Sequence, residues 1–159
     1  MKQLINTALA YLIAGAVAGV FFREFTKIMG FDGVSALGFM HAHLLALGFL
    51  VFLIATLFAL ADDYTGDKLF KPFYIVYNVG LVVTVGMMLV RGVAQVTNTY
   101  LPLPDAALSG IAGIGHIMIG VGLVLLVVMF KRVVDRRIAV NRAPAYANNR
   151  PRGIRAGYF

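Results

Sequence analysis

Residues 38–49, GFMHAHLLALGF, place two of the chain's three histidines, His41 and His43, one residue apart in a segment that is otherwise apolar. The uncharged run around them extends over residues 36–61. About 20 helical residues cross the ~30 Å hydrocarbon core of a membrane, so this run predicts a transmembrane helix. The fold therefore depends on a membrane, and the two imidazoles within a membrane-spanning helix need an explanation.

The composition of the whole chain also indicates a membrane protein. Hydrophobic residues make up 60% of it and charged residues 13%, whereas soluble domains are about 25% charged. Most of the net charge of +7 comes from basic residues at and after Lys131, and no nucleic-acid recognition motif accompanies them. We therefore expect the lipid bilayer, and no nucleic acid, as a partner. The lack of cysteine excludes disulfides, thiolate metal sites and covalently attached c-type heme.

Four apolar runs are long enough to cross the bilayer, and they predict an all-α bundle of four transmembrane helices. Ser35 can cap the second helix, Pro72 suits the first turn of the third, and Pro104 with Asp105 precedes the fourth. The first run is also compatible with a signal peptide, although it is long for that purpose. The four runs cover residues 4–22, 36–61, 73–95 and 106–130.

The distribution of lysine and arginine predicts the orientation of the spans. Eleven basic residues would lie on one side of the membrane, and Arg23, Lys27 and Arg91 on the other, so we expect both termini in the cytoplasm. We divide the chain into a transmembrane domain, residues 1–135, and a basic tail, residues 136–159. From about residue 141 the tail has no helical or strand period, which predicts a disordered or lipid-bound segment.

The three histidines are expected at one depth in the membrane. His41 and His43 lie about 6 and 8 residues into the second helix, and His116 lies about 7 residues past Ser109 in the fourth. Depths counted from the cytoplasmic ends favour His43 over His41 as the neighbour of His116. Because residues two apart on a helix point about 200° apart, the remaining histidine must face another cofactor, another subunit or the headgroup zone.

These histidines are either ordinary interfacial residues or cofactor ligands. Three of them at one level, with no histidine elsewhere in the chain, favour a ligand role. A zinc or copper site would need about four ligands, and the chain has no cysteine and places most of its acids in loops. Heme needs only one or two axial histidines and an apolar slot. The pattern therefore favours heme.

Glycines and cations near the histidines have a possible role in heme binding. Gly113 and Gly120 lie on the helix face of His116 and could admit a flat ring, although tight helix packing, as expected at Gly15 and Gly19, is the alternative. The third predicted helix carries one polar stripe with a charge near its outer end. The stripe consists of Tyr77, Gly80, Thr84, Met88, Arg91, Gln95 and Asn98.

Arg91 is the residue of this stripe that most needs a partner, because an arginine keeps its charge inside a membrane. Heme propionates suit a guanidinium, and Gln95 and Arg23 lie at the same end of the bundle. The alternative is a pair with Asp105 or Glu24 that serves folding alone.

Several segments together resemble a family of small, uncharacterised four-span bacterial membrane proteins, over about residues 8–130. The resemblance implies a multi-pass protein of the bacterial plasma membrane without implying an activity. The segments are FREFTK at 22–27, HAHLLALGF at 41–49, YNVGLVVTVGMMLVRGVAQV at 77–96 and SGIAGIGHIMIGVGL at 109–123.

A wider likeness is to the heme-copper oxidase superfamily and the related nitric-oxide-response membrane proteins, where a His-x-His followed by a glycine binds hemes from both faces of one helix. This likeness implies His43 and His116 as axial ligands of a low-spin heme b, and His41 as a possible ligand of a second heme. Oxygen-reducing members have further histidines for copper, and this chain has none. Copper-dependent reduction of oxygen or nitric oxide is therefore not expected.

Two functions stay open at this point. One is a b-type cytochrome without enzymatic activity, which transfers electrons or senses a gas or a redox state. The other is a heme-free four-helix subunit that scaffolds a larger membrane complex. Because His41 points away from His43, we also expect a homodimer or a larger complex that covers the His41 face.

Overall fold

The structure, a computed structural model, describes residues 1–102 and 104–148. Within these residues the fold is all-helical, has no strand, and contains four helices long and apolar enough to cross a membrane. The prediction of a four-helix membrane-type fold is confirmed at this level, and such helices indicate a multi-pass membrane protein. The helices are α1 (Lys2–Ile28), α2 (Leu37–Ala61), α3 (Phe70–Thr97) and α4 (Asp105–Asn148).

Short connections make consecutive helices run in opposite directions. The end at which α2 and α4 begin contains all three histidines and is called the histidine end. The opposite end, where α1 and α3 begin, is called the far end. The most extensive contact in the bundle is between α3 and α4, and α1 packs along the length of α2.

The start of α2 is tied to the end of α3. The Ser35 hydroxyl accepts the N–H of Leu37 at 3.2 Å and donates to the carbonyl of Gly92 at 3.0 Å, although the N-cap residue of α2 is Ala36 and not Ser35 as expected. The N–H of Ala36 donates to Oε1 of Gln95 at 2.8 Å. Because these bonds satisfy backbone groups that a helix start leaves unpaired, they fix where α2 begins.

The core is built around Phe52, which is fully buried. Its ring contacts Tyr11 of α1 and Phe73 and Tyr77 of α3, with ring centres 5.7 to 6.0 Å apart. This aromatic cluster joins three helices in the half of the bundle away from the histidines. Rings buried in this way contribute beyond their area through edge and offset contacts.

Glycines set the close approach of α3 and α4. A Cβ added at Gly80 would lie 2.7 Å from Cβ of Met118 and 2.9 Å from the carbonyl oxygen of Gly115. A Cβ added at Gly115 would lie 2.5 Å from Oγ1 of Thr84. Since no side chain fits there, this helix pair depends on small residues in the way common to membrane proteins.

The fourth helix continues further than the sequence predicted. We expected a disordered or lipid-bound segment from about residue 141, but α4 runs to Asn148, so disorder was wrong for residues 141–148 and lipid binding stays a prediction. Extending an existing helix requires no new nucleation, and the alanines at 139, 143, 145 and 147 favour it, whereas Pro144 opposes it by removing one backbone N–H donor. Residues 149–159, the rest of the expected tail, lie outside the described residues.

Two arginines of α4 hold the connection between α2 and α3 at the far end. Nη1 of Arg132 lies 2.9 and 2.8 Å from the two carboxylate oxygens of Asp67, and Nε of Arg136 lies 2.9 Å from Oδ2 of Asp62. The N–H of Leu69 and the Arg132 guanidinium hold the pKa of Asp67 below its usual range. Some of the basic charge near the end of α4 therefore has a structural role.

Candidate functional site

The histidine end brings His43 of α2 and His116 of α4 side by side. The ring centres lie 6.2 Å apart, and the ring planes are inclined at 88°. His43 is partly buried, whereas His116 is exposed on the surface of the single chain. The proximity expected from their matched depths is present, and it occurs on a face open to lipid or to a partner.

Both rings are held by the same kind of hydrogen bond. Nδ1 of His43 donates to the carbonyl of Phe39 at 2.9 Å, and Nδ1 of His116 donates to the carbonyl of Ala112 at 2.8 Å. A carbonyl only accepts, so the proton of each neutral ring is on Nδ1 and the lone pair is on Nε2. Such a bond fixes the tautomer and orientation of histidines that ligate metals.

The separation of the two rings suits one metal between them. Metal–nitrogen bonds of about 2.0–2.1 Å, plus about 1.1 Å from each nitrogen to its ring centre, give about 6.3 Å. The observed value is 6.2 Å. Edge-to-face ring pairs without a metal have separations of about 4.5–7 Å, so this distance also fits an ordinary contact. The paired Nδ1 bonds are the feature that favours a ligand role.

Only two possible protein ligands meet at this site, which limits the kinds of metal centre that it could hold. Across the described parts of the chain, no group of three or more His, Cys, Asp or Glu side chains is arranged to hold a metal ion. Heme differs from a bare metal ion because the macrocycle supplies most of the coordination and the protein adds one or two axial ligands. Two imidazoles on facing helices are therefore sufficient for heme and too few for a typical zinc site.

His41 faces the other way, toward α1. A Cβ added at Gly19 would lie 3.7 Å from Cβ of His41, and Nδ1 of His41 is buried without a hydrogen-bond partner among the described residues. His41 therefore lacks the carbonyl bond that His43 and His116 share. α1 partly buries His41 within this chain, and a further subunit on the His41 face stays a prediction. The exposed histidine is His116.

Gly113 and Gly120 lie beside His116 in open space. A Cβ added at either glycine would meet no atom of the described chain within 4 Å, whereas Gly115 between them packs against α3. The glycines of α4 thus divide into a packed face and an open face. Tight packing within this chain explains Gly115 and leaves the open face, which carries His116, available to a ligand or a partner.

A cavity of about 510 Å³ opens at the histidine end and is lined in part by Arg91 and Gln95. Nη1 of Arg91 donates to Oγ of Ser109 at 3.4 Å, so this side chain connects α3 to α4. Ser109 precedes His116 by about 10 Å along α4. Gln95 uses Oε1 to hold the start of α2, which gives it a structural contact at the edge of the same cavity.

Arg23 lies at the histidine end of α1 and is largely solvent-exposed. Its Nη1 is 3.6 Å from Oε1 of Glu24, and its side chain is 80% exposed. Glu24, which the sequence offered as one alternative partner of Arg91, therefore forms a loose pair with Arg23. An exposed pair of this length contributes little to stability.

The sequence analysis missed a π-helical segment directly after His43. Residues Leu44–Leu50 form π-helical turns, and the Tyr77 hydroxyl donates to the carbonyl of Leu47 at 2.7 Å. Such segments are rare and occur often at functional sites. The sequence carried no clear signal for it, because residues 44–50 are all apolar or glycine, and the four-residue spacing of the buried residues is visible only in the structure. These residues are Met40, Leu44, Gly48 and Phe52.

Comparisons with known proteins identify a family without an assigned activity. No curated protein and no solved structure matches the chain. One family model, described as a protein of unknown function (DUF2871), matches residues 1–133. The match agrees with the resemblance to an uncharacterised family and adds nothing to the likeness to heme-copper oxidases. Because the match covers most of the chain, this protein belongs to the DUF2871 family of unknown function.

Proposed function

We propose that this chain is an integral membrane heme protein in which His43 and His116 are the axial ligands of one b-type heme. The observation that carries the proposal is the matched pair of Nδ1 bonds to Phe39 and Ala112, which leaves Nε2 of each ring with a lone pair. Two helices thus present two preoriented ligand atoms in an apolar setting. A b-type heme also agrees with a chain that has no cysteine for covalent attachment.

The surroundings of His116 support room for a flat macrocycle. Gly113 and Gly120 face open space on the side of α4 that bears His116. Ile117, beside His116, is 68% exposed in the single chain, so the face is apolar as well as open. Heme binding would cover this surface and would remove a polar imidazole from contact with hydrocarbon, where it is costly.

Three polar residues at the histidine end are proposed to contact the heme propionates. Arg91 is the principal one, because it lines the cavity and a guanidinium forms strong bonds with carboxylates. Gln95 and Arg23 are secondary, since Gln95 already holds the start of α2 and Arg23 is loosely paired with Glu24.

Bound between two histidines, a heme supplies a one-electron redox centre whose potential depends on its ligands and surroundings. Both axial positions would be filled by protein, which favours electron transfer or redox sensing. Gas sensing would require one histidine to give way. The family resemblance supports a bacterial plasma membrane as the location, and the lysine and arginine distribution supports cytoplasmic termini and a heme near the outer leaflet.

An absorption spectrum of the purified full chain tests the proposal. Protein from heme-replete cells should show a Soret band, and reduction should sharpen the α and β bands of a low-spin heme. A colourless protein from such cells, which also fails to take up added hemin, would contradict the proposal.

A heme-free scaffold is the second candidate function. It is favoured by one observation, because the 6.2 Å separation and 88° inclination of the two rings also suit an edge-to-face pair. In that case the open face of α4 would receive another subunit. The same absorption spectrum separates the two functions, since a scaffold would remain colourless at every heme concentration.

A further inference from the structure

Polar side chains line a second groove, between α1 and α3 at the far end, away from the histidines. The groove has a volume of about 570 Å³. Asn78 lies about 12 Å from the start of α3 and Tyr11 about 14 Å from the start of α1, so the groove reaches into the apolar part of the bundle. Its polar lining consists of Gln3, Asn6, Thr7, Tyr11, Tyr74 and Asn78.

Two hydrogen-bonded pairs cross between the helices and form the floor of this groove. The Tyr11 hydroxyl donates to Oδ1 of Asn78 at 2.7 Å, and the oxygens of Thr7 and Tyr74 lie 2.6 Å apart. Thr7 donates its own proton to the carbonyl of Gln3 at 2.9 Å, so Tyr74 is the donor in the second pair. The protons of both tyrosines are therefore used within the protein.

The groove also contains amide N–H donors that these two hydrogen-bonded pairs do not use. Nδ2 of Asn78 donates one N–H to the carbonyl of Tyr74 at 2.7 Å, and an amide nitrogen carries a second. The side chains of Gln3 and Asn6 are exposed at the mouth of the groove. An amide that faces hydrocarbon without an acceptor is costly, so a groove of this kind favours an occupant that brings acceptors of its own.

The residues that line the groove indicate which class of ligand it would bind. None of the described residues that line the groove is charged, which is a poor match for the phosphate of a lipid headgroup. Two aromatic residues, Tyr11 and Tyr74, line the groove, and a stacked contact with Phe52, at an 18° inclination between ring planes, holds the Tyr11 ring. We infer that this groove binds a neutral, lipid-soluble ligand with carbonyl acceptors on a planar ring, of the quinone class.

Occupancy of this groove does not require heme. The Tyr11 ring of the groove packs on Phe52, which lies nine residues after His43 on α2. A quinone there would therefore be a redox-active neighbour of the heme, and only this partner role rests on the proposed function. The binding site itself rests on the groove and its donors.

Binding can be followed by fluorescence because the chain contains no tryptophan. Leu9, next to the groove lining and 54% exposed, is replaced by tryptophan, and Val20, 65% exposed near the other end of α1, provides the matched control. The full chain, as purified and placed in lipid nanodiscs, is titrated with a short-chain ubiquinone. Quenching of the Leu9→Trp signal should saturate, whereas quenching of Val20→Trp should rise linearly through collisions in the lipid.

Two further substitutions, each added to Leu9→Trp, test the groove itself. Ala10→Phe fills it without touching the hydrogen-bonded pairs, and should abolish saturable quenching, while Ala16→Phe, at an exposed position of α1 outside the lining, should not. Asn78→Leu removes the spare amide and should weaken binding about tenfold. Linear quenching at both tryptophans, or saturation that survives Ala10→Phe, would overturn the inference. A third outcome would also overturn the inference: quenching is never saturable, and Ala10→Phe dissociates an oligomer. The groove would then hold a second copy of the chain.

Discussion

The rings of His43 and His116 lie 6.2 Å apart on two different helices, and each donates its Nδ1–H to the carbonyl four residues earlier on its own helix. These carbonyl bonds fix both tautomers and restrict both rings before any ligand is present. Each ring would then bind a metal centre through Nε2 without a change of tautomer. This preorganisation favours binding, because the cost of ordering the ligands is met during folding.

Removing either ligand should change the spin state of the heme. His43→Ala and His116→Ala should each lose the heme or convert it to a high-spin form, because one axial position is left without a strong ligand. Absorption spectra of oxidised and reduced protein measure this change. His41→Ala is the control and should keep the low-spin spectrum, since His41 faces Gly19 on α1. If both ligand variants retain a wild-type spectrum, the assignment of axial ligands is wrong.

The two sets of glycines in α4 should respond differently to substitution. Gly115→Ala should destabilise the bundle by about 1–3 kcal/mol through overpacking, because its Cβ would lie 2.5 Å from Oγ1 of Thr84. The leucine side chains of Gly113→Leu and Gly120→Leu would extend into open space in this chain. Both variants should therefore keep nearly the same stability without heme, and both should retain less heme. Melting curves and the ratio of heme to protein measure the two effects. Full heme retention in both leucine variants would exclude these glycines from the heme slot.

Arg91→Leu should weaken heme retention and lower the midpoint potential of the remaining heme. Removal of a nearby cation disfavours the added electron more than it disfavours the oxidised state. Arg91→Lys should have a smaller effect, because it keeps the charge and loses the planar fork of donors. A redox titration and a melting curve are recorded for each variant. A fall in stability with an unchanged potential would instead indicate that Arg91 serves folding through protein partners such as Ser109.

Acid should weaken the attachment of the α2–α3 connection to α4. The Leu69 N–H and Arg132 lower the pKa of Asp67 in the folded protein, so the folded state binds its proton less readily than the unfolded state does. The resulting stabilisation is present at neutral pH and is lost as the pH falls through the lowered pKa, below the usual value of about 3.9.

Asp67→Asn should flatten this acid dependence and reduce stability at neutral pH by about 1 kcal/mol, because Arg132 is half-exposed although the Asp67 side chain is largely buried. Melting midpoints recorded between neutral and acid pH check both effects. Asp135→Asn, which removes the exposed pair with Lys131, is the matched control. An equal change of acid dependence in the two variants would show that the Asp67 contact is not its source.

The heme-free scaffold function predicts a homodimer or a larger complex through the open face of α4. His116 and Ile117 are exposed there in the single chain, and a polar imidazole is unfavourable in contact with lipid. Mass measurement in a gentle detergent should give at least twice the chain mass. A fully heme-loaded monomer would contradict this prediction and would indicate that the heme alone covers the face.

The sequence by itself determined the number of spans and the approximate position of the candidate site. An uncharged run of helix length has one stable arrangement across a bilayer, because every backbone N–H and C=O must be paired within the segment. The helical rise of 1.5 Å per residue then placed His43 and His116 at similar depths. The opposite direction of His41 also followed from helical geometry alone.

Only the tertiary structure decided which faces of the helices meet. The sequence could not show that His41 lies beside Gly19 of α1 while His116 is exposed, because a helical period defines the faces of a helix and not their neighbours. The π-helical turns after His43 and the groove between Tyr11 and Asn78 depend on contacts between residues far apart in the chain. Such contacts are selected by packing among several helices at once, which no local pattern of residues specifies.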